Sequence, residues 1–215
     1  MSFKRMGTAL TVVAILAAIA FWQWGRRIEF TLGGMMVNLG YRLQDPLEEY
    51  DFEHEELTPQ QIWEEFLRQN DRAASVREVW PRSARHPLVA LVTCMDARLD
   101  TSEIAGDTRR YYYVLRLAGS VLAPKEEEML ELAVANGTKV VVFTTHTDCA
   151  AEKMAADAAQ RPLYPSLTEA LAERDERFQE FLDRPVIRER IAAHELLVQR
   201  MVLDTATDRV VPAAP

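Results

Sequence analysis

Cys94-Met95-Asp96-Ala97-Arg98 and His146-Thr147-Asp148-Cys149 together hold both cysteines of this chain and one of its four histidines. Two thiolates and an imidazole are soft and borderline donors suited to Zn2+, and three protein ligands leave a fourth position for water. That donor count points to a catalytic metal, because structural zinc sites are closed by four protein ligands. Taken alone, Cys94 and Cys149 are also compatible with inert buried thiols, or with a disulfide in an oxidising compartment. Asp96 and Arg98 alone would be an ordinary surface ion pair. Beside Cys94 they become a carboxylate that a forked guanidinium can hold ionised.

Both motifs follow apolar runs that must position them. Leu88-Val89-Ala90-Leu91-Val92-Thr93 precedes the first, and Val140-Val141-Val142-Phe143-Thr144-Thr145 precedes the second. Continuous β-branched runs of this length are expected as buried parallel strands. Ligand sites of open α/β sheets gather beyond the carboxyl ends of such strands, so both donor sets should emerge on one sheet edge. Between them, Pro124 to Ala135 is expected as the crossover helix. Pro124 opens it, Glu126, Glu127 and Glu128 suit its N-terminal end, and Asn136-Gly137 stops it. Leu167 to Leu182 is expected as a further helix and Leu196 to Leu203 as a last strand, ended by a turn at Asp204–Asp208. Tyr111, Tyr112 and Tyr113 are expected in a strand. His54, His86 and His194 have no partner motif and are expected to be solvated or locally hydrogen-bonded.

The three segments Cys94-Met95-Asp96-Ala97-Arg98, Arg116-Leu117-Ala118-Gly119 and His146-Thr147-Asp148-Cys149 stand in the order found in beta-carbonic anhydrases, and from about Leu57 to Val211 the chain resembles that family. The resemblance implies an α/β fold with a central, mostly parallel sheet flanked by helices. It also implies that Cys94, His146 and Cys149 ligate Zn2+ and that Asp96 and Arg98 form the catalytic dyad beside it. In the family the aspartate either accepts a hydrogen bond at the metal or swings in as a fourth ligand, and the arginine holds it away. The implied reaction is hydration of carbon dioxide to bicarbonate, by a homodimer or a multiple of one. Two positions depart from the family pattern. Leu117 stands where an asparagine is usual, and Ala150 where a glycine usually follows the second cysteine. Changes around a metal site commonly cost ~10–100-fold in affinity or activity. Two other readings therefore remain open: a hydrolase of carbon disulfide or carbonyl sulfide, and an inactive homologue serving as a structural subunit of a membrane complex.

The N-terminal part has a different character. Met6 to Gly25 is a run of 20 uncharged residues, flanked by Lys4-Arg5 and Arg26-Arg27, with Phe21, Trp22 and Trp24 at its far end. As a helix it would be ~30 Å long, enough to cross a bilayer's hydrocarbon core, with the aromatics at headgroup level. Residues 1–28 are therefore expected to be a single-pass transmembrane anchor in contact with lipid. Ala18-Ile19-Ala20 keeps open a cleaved signal peptide. A default anchor with its N-terminus inside would place the remainder on the extracytoplasmic side. Residues 29–56 are expected as a connector. It is apolar and glycine-containing from Phe30 to Leu43, and then acidic, with Asp45, Glu48, Glu49, Asp51, Glu53, Glu55 and Glu56. Residues 57–215 form the expected zinc domain, opening on a helix with an Ile62, Trp63, Phe66, Leu67 stripe. About 160 residues suit one α/β domain. The net charge of −8 without a basic cluster excludes a nucleic-acid partner. No glycine-rich phosphate loop or Gly-x-Ser-x-Gly elbow is present.

Overall fold

A computed structural model describes residues 3–44, 58–79 and 85–213. The chain divides into two compact units, Met1–Arg82 and Ser83–Pro215. In the second unit, the apolar runs form β1 (Val89–Cys94) and β3 (Val140–His146), as their composition requires. With β2 (Tyr112–Leu117), β4 (Leu197–Asp204) and β5 (Arg209–Pro212) they make one sheet in the order β2-β1-β3-β4-β5. The first four strands run parallel and β5 returns antiparallel to β4. The expected mostly parallel α/β sheet is therefore the fold of this unit.

Parallel neighbours need crossovers, and α5 (Pro124–Ala135) supplies the one before β3 over the expected residues. Pro124 occupies the first turn, and the Glu126 carboxylate accepts from the Ala123 backbone N–H at 3.1 Å. Asn136 and Gly137, at φ +109°, end the helix. α5 buries Leu130, Ala133 and Val134. The helix expected from Leu167 to Leu182 is instead two, α7 (Pro165–Ala172) and α8 (Arg174–Asp183), with the break at Glu173. Then α9 (Pro185–Ala192) leads into β4. Phe181 of α8 and Ile187 of α9 close over Ala90, Val92, Val141 and Phe143 of the sheet, forming the main core. The Phe143 ring meets Phe178 and Phe181 edge-on, with centroids 5.0 and 5.4 Å away. Each large apolar side chain shielded here stabilises the fold by roughly 1.5–3 kcal/mol.

Short elements complete the unit. α3 (Thr101–Ala105), capped by Asp100, and α4 (Thr108–Tyr111), capped by Asp107, join β1 to β2. Tyr111 therefore ends a helix, while Tyr112 and Tyr113 enter the strand. α6 (Ala150–Ala156) follows β3. His86 and His194 are exposed as expected, and His54 lies outside the described residues.

The first unit contains α1 (Phe3–Leu43) and α2 (Pro59–Val79). α1 is one unbroken helix of 41 residues, so the connector expected from residue 29 is helical as far as Leu43. Gly33, Gly34 and Gly40 have open space where a side chain would stand, and none has a left-handed backbone. They weaken the helix by roughly 0.5–1 kcal/mol each without ending it. The expected transmembrane span falls mainly on residues whose side chains lie outside the description. Among the described residues, no helix is long and apolar enough to cross a membrane. From Trp24 onward, α1 carries Arg26, Arg27, Glu29 and Arg42. The acidic stretch from Asp45 to Glu56 also lies outside the described residues.

Candidate metal centre

β1 and β3 are parallel neighbours, so their carboxyl ends deliver Cys94 and His146 to the same edge of the sheet. The chain then turns through Asp148, at φ +61°, and Cys149 becomes the N-cap of α6. The sulfur atoms of Cys94 and Cys149 and a ring nitrogen of His146 lie within 4.8 Å of one another, and all three residues are buried. The two cysteines are free thiols, not a disulfide. Both pack with Leu99 and Leu203, and with partly buried Ile104, Ala151 and Val210, so one wall of the site is dry.

The donor set fits zinc in its chemistry as well as in its spacing. His146 Nδ1 lies 3.0 Å from the Thr147 carbonyl oxygen. A carbonyl only accepts, so Nδ1 carries the proton and Nε2 keeps its lone pair. His146 Nε2 is buried and has no hydrogen-bond partner. A buried acceptor without a partner is costly, and a metal ion satisfies it. Burial pushes the Cys149 thiol up from its ordinary value, and neighbouring Cys94 adds to that, while the N–H groups of Glu152 and Ala151 oppose it. A dication reverses this balance, because the ligand form is the thiolate.

Asp96 and Arg98 stand beside the triad as a closed pair. Arg98 Nε and Nη2 donate to the two Asp96 carboxylate oxygens at 3.0 and 2.7 Å, and the Arg98 backbone N–H donates to Oδ1 at 3.0 Å. These bonds hold the Asp96 carboxyl well below the usual carboxylate range, and the positive charge of Arg98 adds to them. All five site residues expected from the sequence are thus brought together in two groups, a triad and a pair. Three further residues support them. Arg116 donates to the Asp96 carbonyl at 2.6 Å. Asp148 accepts from Arg98. The Thr147 hydroxyl meets that of Thr205 at 3.0 Å, tying the second motif to the turn after β4. Their motif positions were visible in the sequence, but their roles were not, because each role depends on a contact between distant segments.

The two departures have structural explanations. Leu117 ends β2 opposite Cys94, its carbonyl accepts from the Met95 N–H at 3.1 Å, and its side chain packs against the main core. It is a core residue and brings no amide to the metal centre. Ala150 is the exposed first residue of α6, without the positive φ that would demand glycine. Gly119, by contrast, does need to be glycine. At φ +61°, a Cβ there would lie 2.3 Å from Leu171 Cδ2.

A family model described as carbonic anhydrase matches residues 89–210, the span from β1 to β5 that holds every residue of this centre. The chain belongs to the beta-carbonic anhydrase family. Beta-carbonic anhydrase 1 of Mycobacterium tuberculosis and that of Mycobacterium bovis are each 36% identical to it over 64 residues, which is 28% of this chain and 38% of the relative. Among solved structures, a carbonic anhydrase from Streptococcus mutans superposes with a TM-score of 0.51 at 23% identity, over 71% of this chain and 97% of that one. One of two tetrameric beta-carbonic anhydrases from Sordaria macrospora gives 0.52 at 18% identity, over 72% and 97%. These structures share the beta-carbonic anhydrase fold of the C-terminal unit, and the family's zinc fits the Cys94–His146–Cys149 triad.

Proposed function

We propose that this chain is a zinc-dependent enzyme interconverting carbon dioxide and bicarbonate. The observation that carries the reading is the buried Cys94–His146–Cys149 triad with His146 Nε2 unpartnered, set beside a carboxylate locked to Arg98. Zinc held there supplies the Lewis acidity that makes hydroxide available near neutral pH for attack on carbon dioxide. The chain's own residues do the rest. The Thr147 carbonyl fixes the His146 tautomer by taking the Nδ1 proton's hydrogen bond. Arg98 keeps Asp96 ionised and therefore acceptor-only, so Asp96 orients a reacting water by accepting its hydrogen bond. The Leu99–Leu203 wall limits the access of bulk water.

Stopped-flow hydration of carbon dioxide by the zinc-loaded protein, alongside Cys94→Ser, tests this. Turnover that vanishes in the variant supports it. A chain with one zinc bound and no turnover above buffer refutes it, and points instead to a shut site, to another substrate such as carbon disulfide or carbonyl sulfide, or to the inactive structural homologue.

We further propose that residues 1–28 tether the enzyme to a membrane with its domain on the extracytoplasmic side, and that it works as a homodimer or a multiple of one. Support for the tether is the uncharged run from Met6 to Gly25 within an unbroken helix. Equal recovery in the membrane fraction of the full chain and of a chain starting at Leu57 would sink the tether. A monomer mass in detergent would sink the dimer.

A further inference from the structure

Arg98 spends its guanidinium on two segments. Nε and Nη2 engage Asp96, only two residues away on the same loop. Nη1 donates to the Asp148 carboxylate at 2.9 Å, and Nη2 also reaches the Asp148 carbonyl oxygen at 3.0 Å. These bonds join the loop after β1 to the loop after β3 across 50 residues of sequence. An Asp96–Arg98 pair alone moves as one with its own loop and fixes nothing relative to His146 and Cys149. Arg98 is half exposed, so packing does not immobilise it. Asp148 supplies the missing constraint. It lies between two ligands of the triad, and its left-handed backbone lets both its carbonyl and its carboxylate accept from one guanidinium. Its other carboxylate oxygen pairs with Lys153 of α6, which anchors Asp148 in turn.

We infer that Asp148 is a positioning residue whose bonds to Arg98 hold the Asp96 carboxylate clear of the metal triad. A carboxylate two residues from Cys94 is a competent zinc ligand, and a dication attracts it. What keeps it away is an arginine already occupied by its two oxygens. That restraint acts on the triad only while Arg98 is itself fixed to the ligand-bearing loop. Released from Asp148, Arg98 and Asp96 can move together, and the carboxylate can take the position that exogenous ligands need. The inference rests on the proposed metal site and deepens it by assigning the control of access to that site.

The test uses the full chain loaded with Co2+ in place of zinc, with azide as the probe and the visible cobalt spectrum as the readout. Asp148→Gly removes the carboxylate and relaxes the left-handed backbone rather than straining it. Asp148→Asn keeps an acceptor at a residue type that tolerates the same backbone. In wild type, azide shifts the cobalt bands. In Asp148→Gly, the azide concentration needed rises about tenfold or more, in the range of other supporting-residue losses at metal sites. Asp148→Asn falls between the two. Adding Asp96→Ala to Asp148→Gly restores the azide response, which a merely misfolded loop would not do. A response in Asp148→Gly within twofold of wild type at one cobalt per chain overturns the inference, as does failure of Asp96→Ala to restore it. The readout is independent of turnover. A wild-type chain that binds cobalt and azide but hydrates no carbon dioxide overturns the proposed reaction and leaves the role of Asp148 standing. A wild-type chain that takes up no cobalt overturns both.

Discussion

In the C-terminal unit, Phe181 and Ile187 are fully shielded, whereas Phe30, Met36 and Leu43 of α1 are 65%, 73% and 79% exposed. Trp63 and Phe66 of α2 stack on each other with centroids 5.4 Å apart, yet both remain more than half exposed. Apolar residues therefore do different work in the two units. Behind the metal centre they form a sheet-and-helix core that holds two loops in register. The described apolar residues of α1 and α2 instead lie largely on helix surfaces, where they stabilise little. Whatever becomes of the N-terminal helices, the rigidity of the triad comes from β1, β3 and their core.

Removing a ligand is the sharpest way to break this contrast. His146→Ala leaves two thiols that cannot hold zinc alone. Metal affinity should fall by more than about 100-fold, beyond the usual cost of supporting-residue changes. Competition with a chelator measures it, and retention of one zinc per chain would show that the triad is not the site. Next in size is Phe181→Ala. It opens a cavity in the core and should cost about 3–5 kcal/mol. Met36→Ala on exposed α1 should stay within about 0.5 kcal/mol. Denaturation followed by circular dichroism compares them, and equal effects would mean that the units do not differ in this way.

Gly119→Ala should have an intermediate effect. Its φ of +61° and the Leu171 methyl 2.3 Å from the new Cβ combine backbone strain with a clash. The expected loss is about 1–3 kcal/mol, relieved in part by Leu171→Ala. If the single variant were as stable as wild type, the turn after β2 would be looser than its geometry implies.

The same contrast governs what could be read in the sequence. β1, β3 and α5 announce themselves because their signals are local: continuous β-branched runs, Pro124 at one end and Asn136-Gly137 at the other. The triad was legible for the same reason, since Cys94 and His146 end strands and Cys149 follows three residues after His146. The break at Glu173 was not, because the charged, apolar-periodic stretch from Leu167 to Leu182 suits one helix as well as two. β5 was missed because four residues carry no periodicity of their own, and only pairing with β4 makes Arg209–Pro212 a strand. Leu117 could be seen as a departure from a pattern, but not as a core residue. The ties from Asp148 to Arg98 and from Thr147 to Thr205 span 50 and 58 residues, so only the fold reveals them.

A further small effect is expected at a carboxylate remote from the metal centre, and its pH dependence separates charge from capping. Asp107 caps α4 by accepting from the Arg109 N–H at 2.9 Å, and it also receives the Arg109 side chain at 2.8 Å. The side-chain bond to Arg109 is the main reason that its carboxyl sits below the ordinary value. A carboxylate whose folded pKa is depressed stabilises the fold above its unfolded value of about 3.9, and loses that contribution as pH falls toward the folded one. Asp107→Asn keeps the cap but removes the charge. Above about pH 5 the variant should therefore be less stable by the ~0.2–1 kcal/mol typical of exposed pairs. The gap should begin to close as pH falls below about 4 and shrink further toward the lower folded value, where the folded wild-type carboxylate also becomes neutral. Stability curves at pH 3 and pH 7 decide it. A gap of the same size at both values would assign the whole contribution of Asp107 to helix capping, and none to its charge.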